Sequence, residues 1–280
     1  MKLSVLMSVY SKESAEFLSQ SLDSLAAQTL QADEIVVVED GPLGTKLRDV
    51  LSDARKRLPI VEVRLPAHVG LGPALREGLD ACGGELVARM DADDICAPNR
   101  FARQLDFLDR NPGIHVAGSA IAEFGDNHAA AASIRRLPAS SEELLRFAKY
   151  RNPLNHVTVV FRRDAVLAAG SYQPCAGFED YHLWVRMLRQ GFSLHNLPDV
   201  LVYVRCGNGM QRRRGGLSYF SRELAFQAFL YKAGLVNATD CARNILLRAP
   251  IRMAPAFIRS FCYNRFLREP VPPEGDLHIE

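Results

Sequence analysis

Four short runs rich in apolar and branched residues recur between positions 3 and 90: Leu3–Val9, Glu34–Val38, Ile60–Leu65 and Glu85–Met90. Between them the apolar side chains fall at helical spacing, as Leu18, Leu22, Leu25 and Ala26 do from about Ser14 onward. Strands this uniformly apolar belong to a sheet covered on both faces, and strand–helix–strand units of this length cross over right-handedly into parallel pairs. Leu47–Arg57 is predicted as a helix. So is Pro73–Cys82, with its proline in the first turn and Gly83–Gly84 just past its end. Pro98 opens a further helix whose Phe101, Leu105 and Leu108 share a face, and which stops at Asn111–Pro112; His115–Phe124 follows as a strand. Residues 1–125 therefore read as a doubly wound, mostly parallel α/β sheet flanked by helices. Ligands gather at the C-terminal strand ends of such sheets, where Tyr10, Glu39–Asp40 and Asp91–Asp94 stand.

The composition bounds this reading without sharpening it. At 280 residues, 48% hydrophobic and 24% charged, the chain is long enough for one large α/β domain and an appendage. A formal net charge of +2 gives no whole-molecule argument for a nucleic-acid partner. No run approaches the roughly 20 apolar residues of a spanning helix, and Met1–Lys2–Leu3 leads straight into a strand without a signal-peptide core. The six cysteines are scattered, with no metal-binding pair spacing, which points to reduced thiols and a cytoplasmic setting.

Beyond residue 125 the pattern changes. Residues 126–139 are polar and alanine-rich, the composition of a loop. Ser140–Glu143 has the capping-box spacing for a helix through Phe147, and Asn152–Pro153 ends that segment. Val157–Phe161 is expected as a strand. Gly177-Phe178-Glu179-Asp180 leads into a helix whose Tyr181, Trp184, Met187 and Leu188 align before Gly191. After Gly216 the chain turns helical, over Leu217–Ala233 and Cys241–Arg268. In the second stretch Arg243, Arg248, Arg252, Arg259, Arg265 and Arg268 are accompanied by no acid, and Pro250 and Pro255 are expected to break it into pieces. Basic residues among aliphatic and aromatic ones suit a helix lying on an anionic membrane surface. A helical hairpin packed on the domain, with its arginines in water, is the alternative.

The stretch Arg89-Met90-Asp91-Ala92-Asp93-Asp94 sets three carboxylates at the end of a buried strand. Such a cluster is costly unless a cation or hydrogen bonds balance it, and hard oxygen donors at this density suit Mg²⁺ or Mn²⁺. Asp-rich tetrapeptides are also ordinary surface turns.

Taken together, Ser8-Val9-Tyr10, Glu39-Asp40-Gly41, the segment Val69–Leu79, Ala88–Asp94 and Phe178-Glu179-Asp180-Tyr181 resemble a family 2 glycosyltransferase of the GT-A fold over nearly the whole chain. Val204–Met210, followed by Arg213-Arg214-Gly215-Gly216, is similar to bacterial enzymes that build exopolysaccharide, capsule and lipopolysaccharide. The resemblance implies an inverting transfer from a nucleotide sugar, a UDP-sugar by preference, to a glycan or polyprenyl-linked acceptor. It divides the chain into a nucleotide-sugar half (1–125), an acceptor half (126–215) and the helical, basic C-terminal region (216–280). The donor would meet Ser8 and Gly70, with Tyr10 near the base, Glu39 and Asp40 on base or ribose, and Arg89 and Asp91 toward the ribose. Asp93 would hold a Mn²⁺ or Mg²⁺ cofactor, with Asp94 assisting or capping the next helix. Asp180 would be the general base, with Glu179 as its substitute, and His156 would stand beside the acceptor or be a satisfied structural histidine. Two positions depart from the family pattern. Arg76 replaces a common asparagine and either reaches a diphosphate or decorates a helix. The histidine often supplied by the C-terminal loop is missing between His195 and His278, which leaves Arg213 and Arg214 as the phosphate-side substitutes.

Two other readings stay open at this level. A sugar-phosphate nucleotidyltransferase also joins a nucleotide sheet to metal carboxylates, but its glycine-rich loop is absent from Ser8-Val9-Tyr10-Ser11. A non-catalytic module on the membrane surface would have no need of the intact acids.

Overall fold

The computed structural model describes residues 1–125, 128, 131, 133–206, 215–254 and 269–270. The four apolar runs form β1 (Leu3–Tyr10), β2 (Glu34–Asp40), β3 (Ile60–Arg64) and β4 (Leu86–Asp91). They lie parallel in the order β3-β2-β1-β4. The chain leaves β1 toward β2 and later returns to its other side as β4, so the strand order reverses there, and ligand crevices of α/β sheets open at such a reversal. Across it the register sets Ser8 beside Asp91, and on the other side Tyr10 beside Asp40.

The connecting helices are α1 (Ala15–Ala26), α2 (Thr45–Ala54), α3 (Leu71–Ala81) and α4 (Arg100–Arg110). Ser14 caps α1 by accepting the Phe17 N–H. Strand alternation then sorts the core. Leu18, Leu22, Leu47, Leu51 and Phe101 pack on Val5, Val37 and Ala88 of one face, while Leu75 and Leu79 of α3 pack on Leu6, Val36 and Val38 of the other.

The second half extends the same sheet rather than building another. To β5 (Ile95–Cys96) and β6 (Val116–Phe124) of the first half it adds β7 (Ser133–Arg135), β8 (Val160–Arg162), β9 (Leu194–Arg205) and β10 (Glu269–Pro270). β8 runs antiparallel between β4 and β6, and β9 runs parallel along β6. The helices of this half are α5 (Ser141–Phe147), α6 (Arg163–Ala168) and α7 (Glu179–Arg189), and then α8 (Leu217–Lys232) and α9 (Ala238–Met253). Trp184 and Met187 of α7 join the α3 face of the core.

Several expectations need correction. The stretch expected as a loop contains β7, which pairs with β6 and buries Ile134. The strand expected from Val157 begins only at Val160. His156–Thr158 forms a 3-10 turn instead, because Asn155 C=O accepts both the Thr158 N–H at 2.9 Å and the Thr158 hydroxyl at 2.8 Å. Pro250 lies inside α9 and does not break it, and Ala254 N–H still reaches Pro250 C=O at 2.9 Å. Nor are the arginines of α9 without an acid. Glu223 of α8, fully buried, accepts from Arg248 and from Arg252 at 3.2 Å and 3.1 Å, while Arg243 pairs with Asp240. Arg259, Arg265, Arg268 and Pro255 lie outside the described residues. The described part of the appendage is thus a hairpin docked on α7 through Phe178, Tyr181, Val185, Phe226 and Leu230. Among the described residues no helix is long and apolar enough to cross a membrane, and the five described cysteines are free thiols.

Candidate active site

At the end of β4 the backbone delivers Asp91, Asp93 and Asp94 so that one carboxylate oxygen of each lies within 4.8 Å of the others. The surroundings hold them unequally. Asp91 is ion-paired with Arg89, whose side chain is buried and whose Nε has no partner among the described residues. Asp94 is buried and accepts the Arg205 N–H at 2.8 Å. Burial and the negative charges of Asp91 and Asp93 push its carboxyl well above the ordinary range. Asp93 is pushed up to about 7 by burial, then by Asp91 and Glu13. Three oxygen donors with too little compensating charge are the donor chemistry that Mg²⁺ or Mn²⁺ requires, so the residues present fit such an ion.

Arg205 braces the cluster from β9. Its guanidinium lies between Phe17 and Phe124, at 3.9 Å and 4.6 Å from their ring centres, and donates to Asp93 C=O at 3.1 Å and to Gln20 at 2.6 Å. Nothing in the spacing around Arg205 marks this role; the signal in the sequence is Phe17 and Gln20 on one face of α1.

The neighbouring strand ends form a second group. Asp40 accepts the N–H groups of Val69 at 2.7 Å and Gly70 at 3.1 Å, and His68 Nδ1 lies 2.8 Å from its Oδ2. The His68 ring stacks on Tyr10, with centroids 5.8 Å apart. In the sequence only the place of His68 just before Val69-Gly70 points to it. The loop needs glycine twice. Gly70 has φ +91°, and a Cβ on Gly41 (φ +84°) would stand 2.8 Å from His68 N. Ser8 is half-buried at the strand reversal. Glu39 is separated from this group by strand alternation. Its buried carboxylate faces α2, taking Arg64 Nε at 3.0 Å with Arg48 at 4.0 Å. Arg76 is exposed on α3 and does not line the cavity described next. Arg213 and Arg214 lie outside the described residues.

Asp180 comes from the opposite side. It is the second residue of α7, whose cap position is Phe178 without a side-chain cap bond, so Asp180 does not serve as an N-cap. Asn152 Nδ2 donates to Asp180 Oδ2 at 2.5 Å. Glu179 beside it is pushed up by burial and has a buried Oε2 without a partner among the described residues. The close approach of α3 to α7 depends on Gly72, where a Cβ would lie 3.1 Å from that of Glu179. His156 Nε2 is 2.9 Å from the Tyr172 hydroxyl, and burial with the Arg89 charge holds the ring well below its usual pKa, hence neutral. Asp91, Asp94, His156, Glu179 and Asp180 line one cavity of about 480 Å³, together with Arg222 and Tyr219 of α8. Helix α8 thus contributes to the site, which nothing in its spacing announced.

The acidic strand end at the sheet's strand reversal and the carboxylate facing it from α7 thus line one cavity. The model of the family "Glycosyl transferase family 2" matches residues 4–169, and the chain belongs to that family. The amylovoran biosynthesis glycosyltransferase AmsE of Erwinia amylovora is 42% identical over 265 residues, 94% of this chain and 98% of that one. The UDP-Gal:alpha-D-GlcNAc-diphosphoundecaprenol beta-1,3-galactosyltransferase of Escherichia coli is 35% identical over 95% of this chain and 97% of its own. The crystal structure of S. aureus TarS 1-349 in complex with UDP-GlcNAc shares the fold, with a TM-score of 0.67 at 17% identity over 94% of this chain and 75% of that one.

Proposed function

We propose that the protein transfers one sugar, with inversion, from a UDP-sugar to a lipid-linked glycan in bacterial surface polysaccharide synthesis, with Mn²⁺ or Mg²⁺ as cofactor. The observation that carries this is the single cavity lined by both the acidic strand end and Asp180. It offers one group for each end of a displacement. The names of the Escherichia coli relative, with its UDP-Gal donor and diphosphoundecaprenol acceptor, and of AmsE support the donor and acceptor classes, and TarS was crystallised with UDP-GlcNAc.

In this reading residues 1–125 hold the donor and 126–215 the acceptor. Tyr10, His68 and Asp40 receive the base, Ser8, Arg89 and Asp91 the ribose side, and Gly70 allows close backbone approach. A divalent ion held by Asp93, with Asp91 and Asp94, would supply charge neutralisation at the departing diphosphate. Asp180, oriented by Asn152, takes the proton of the acceptor hydroxyl as its oxygen bonds to the anomeric carbon and the bond to the diphosphate breaks. A single displacement with one base inverts the centre. Glu179, whose carboxyl is pushed up by burial and whose buried Oε2 has no partner among the described residues, is the alternative base. A lipid-linked acceptor places the work at the cytoplasmic face of a membrane. The exposed Leu246, Leu247 and Met253 of α9 suit that contact better than its ion-paired arginines do.

The test separates the two ends of the displacement. Asp93→Ala is expected to abolish turnover and to weaken metal-dependent UDP binding, whereas Asp180→Asn abolishes turnover and leaves UDP binding within about twofold. Calorimetry of UDP with Mn²⁺ reads the binding, and release of UDP in the presence of acceptor reads the turnover. Full turnover by either purified variant sinks the role given to that residue.

A further inference from the structure

We propose that a second cavity, beside the first, binds the diphosphate of the lipid-linked acceptor; this rests on the acceptor class proposed above. The cavity, of about 410 Å³, lies between the loop after α5 and helix α9 and is lined by Tyr150, Arg151, Arg243, Asn244, Leu247 and Arg248. Three of these six are arginines and none is an acid. Guanidinium forks converging from two separate segments match the oxygens of a phosphate or diphosphate.

Each arginine is held in place, Arg151 by the Phe147 ring, 5.7 Å from its centre. Arg243 lies 4.4 Å above the Tyr150 ring and meets Asp240 at 3.3 Å, with its side chain still 49% exposed. Arg248 donates to Tyr150 C=O and to Glu223, a carboxylate it shares with Arg252. Asn244 fixes the same corner by donating to Lys149 C=O at 2.8 Å and to Gln227 at 3.1 Å. The site is therefore built before any ligand arrives.

Its position identifies the ligand. Arg151 precedes Asn152, the residue that orients Asp180, so their Cα atoms stand about 3.8 Å apart. An anion at the arginines would be followed, toward the first cavity, by the sugar whose hydroxyl Asp180 must reach. Leu247, 64% exposed, lines the same cavity, and Leu246 beside it on α9 is 73% exposed. Large apolar side chains left in water beside a basic pocket suit a molecule with a charged head and a hydrocarbon tail. A prenyl diphosphate carrying a sugar has all three parts in that order.

Farnesyl diphosphate serves as the probe, titrated into the full chain by calorimetry with and without saturating UDP and Mn²⁺. Binding is expected to survive UDP and to weaken about tenfold in Arg243→Ala, the loss of one charged contact. Leu247→Ser, which removes the apolar side chain without adding a charge, is expected to weaken farnesyl diphosphate and to leave inorganic diphosphate unchanged. Both side chains are solvent-facing, and circular dichroism verifies that each variant is folded. Displacement by UDP, or indifference to both substitutions, overturns the site. So does an Arg243→Ala variant that loses binding to phosphatidylglycerol vesicles yet keeps farnesyl diphosphate, since the arginines would then hold a headgroup. A failure of the donor reading shows separately, as absence of UDP binding by the unaltered protein.

Discussion

Asp93 carries an electrostatic demand in the donor half of the site that the protein leaves unmet. Burial first, and then the charges of Asp91 and Glu13, hold its carboxyl at about 7 instead of 3.8. Between those values the folded protein keeps a proton that the unfolded chain has released, so the group stabilises the fold fully below the lower value and loses that contribution as pH rises through the higher one. The full displacement corresponds to at most about 4 kcal/mol, shared among three interacting acids. In chelator, melting temperature is expected to fall between about pH 5 and about pH 8, and Asp93→Asn should flatten that slope. At the upper pH the variant should melt above the unaltered protein. Mn²⁺ should reverse the order by stabilising the unaltered protein alone, as an ion that binds only the folded state does. Thermal denaturation in chelator and in Mn²⁺ decides both points, and a slope that Asp93→Asn leaves unchanged would contradict this account.

Helix α3 shows how an element sets the site from a distance. Its Gly78 rests on the sheet where a Cβ would come within 2.5 Å of Leu6 Cδ1 and of Val38 Cγ2, both side chains fully buried. Gly78→Ala should gain up to about 1 kcal/mol of helix propensity and lose roughly 1–3 kcal/mol to overpacking. The net effect is a destabilisation of about 1–2 kcal/mol, read as a lower urea midpoint with unchanged slope. α3 begins at Gly70 and Gly72, so the same shift should loosen the Asp40 loop and raise the KM for donor. Periodicity made this helix and its neighbours legible, because each buries one face against strands close by in sequence. β7 and α6 were not legible, being too short for a periodic signal. β9 was obscured by Pro198, which the sheet absorbs as a register shift opposite Ser119 and Ala120. Within the site the acids at strand ends were readable from position and chemistry. Asn152, His68 and Arg222 were not, since their partners Asp180, Asp40 and the cavity wall are brought to them only by the fold.

The whole molecule closes its site with its last described helices. α8 presents Tyr219 and Arg222 to the cavity, and its Phe226 and Leu230 pack on Phe178, Tyr181 and Val185, which flank and follow Asp180 along α7. The lock between the two helices is Glu223, fully buried and held by Arg248 and Arg252, whose side chains are 18% and 12% exposed. Removing one member of a buried pair strands its partners, and since these arginines keep some contact with water the cost falls at the lower end of roughly 3–5 kcal/mol. Glu223→Ala is therefore expected to undock the hairpin without unfolding the sheet, whose own core lies elsewhere. Limited proteolysis should then cut within 217–253, and a second, lower thermal transition should appear. UDP affinity should stay within about twofold, because the strand-end groups rest on α1 to α4, while transfer to acceptor drops by about tenfold or more as Asp180 loses its support. Glu223→Gln, which keeps the volume and part of the hydrogen bonding, should fall between. A Glu223→Ala protein that resists protease and transfers normally would show that the hairpin is held by its apolar face alone and that α7 stands without it.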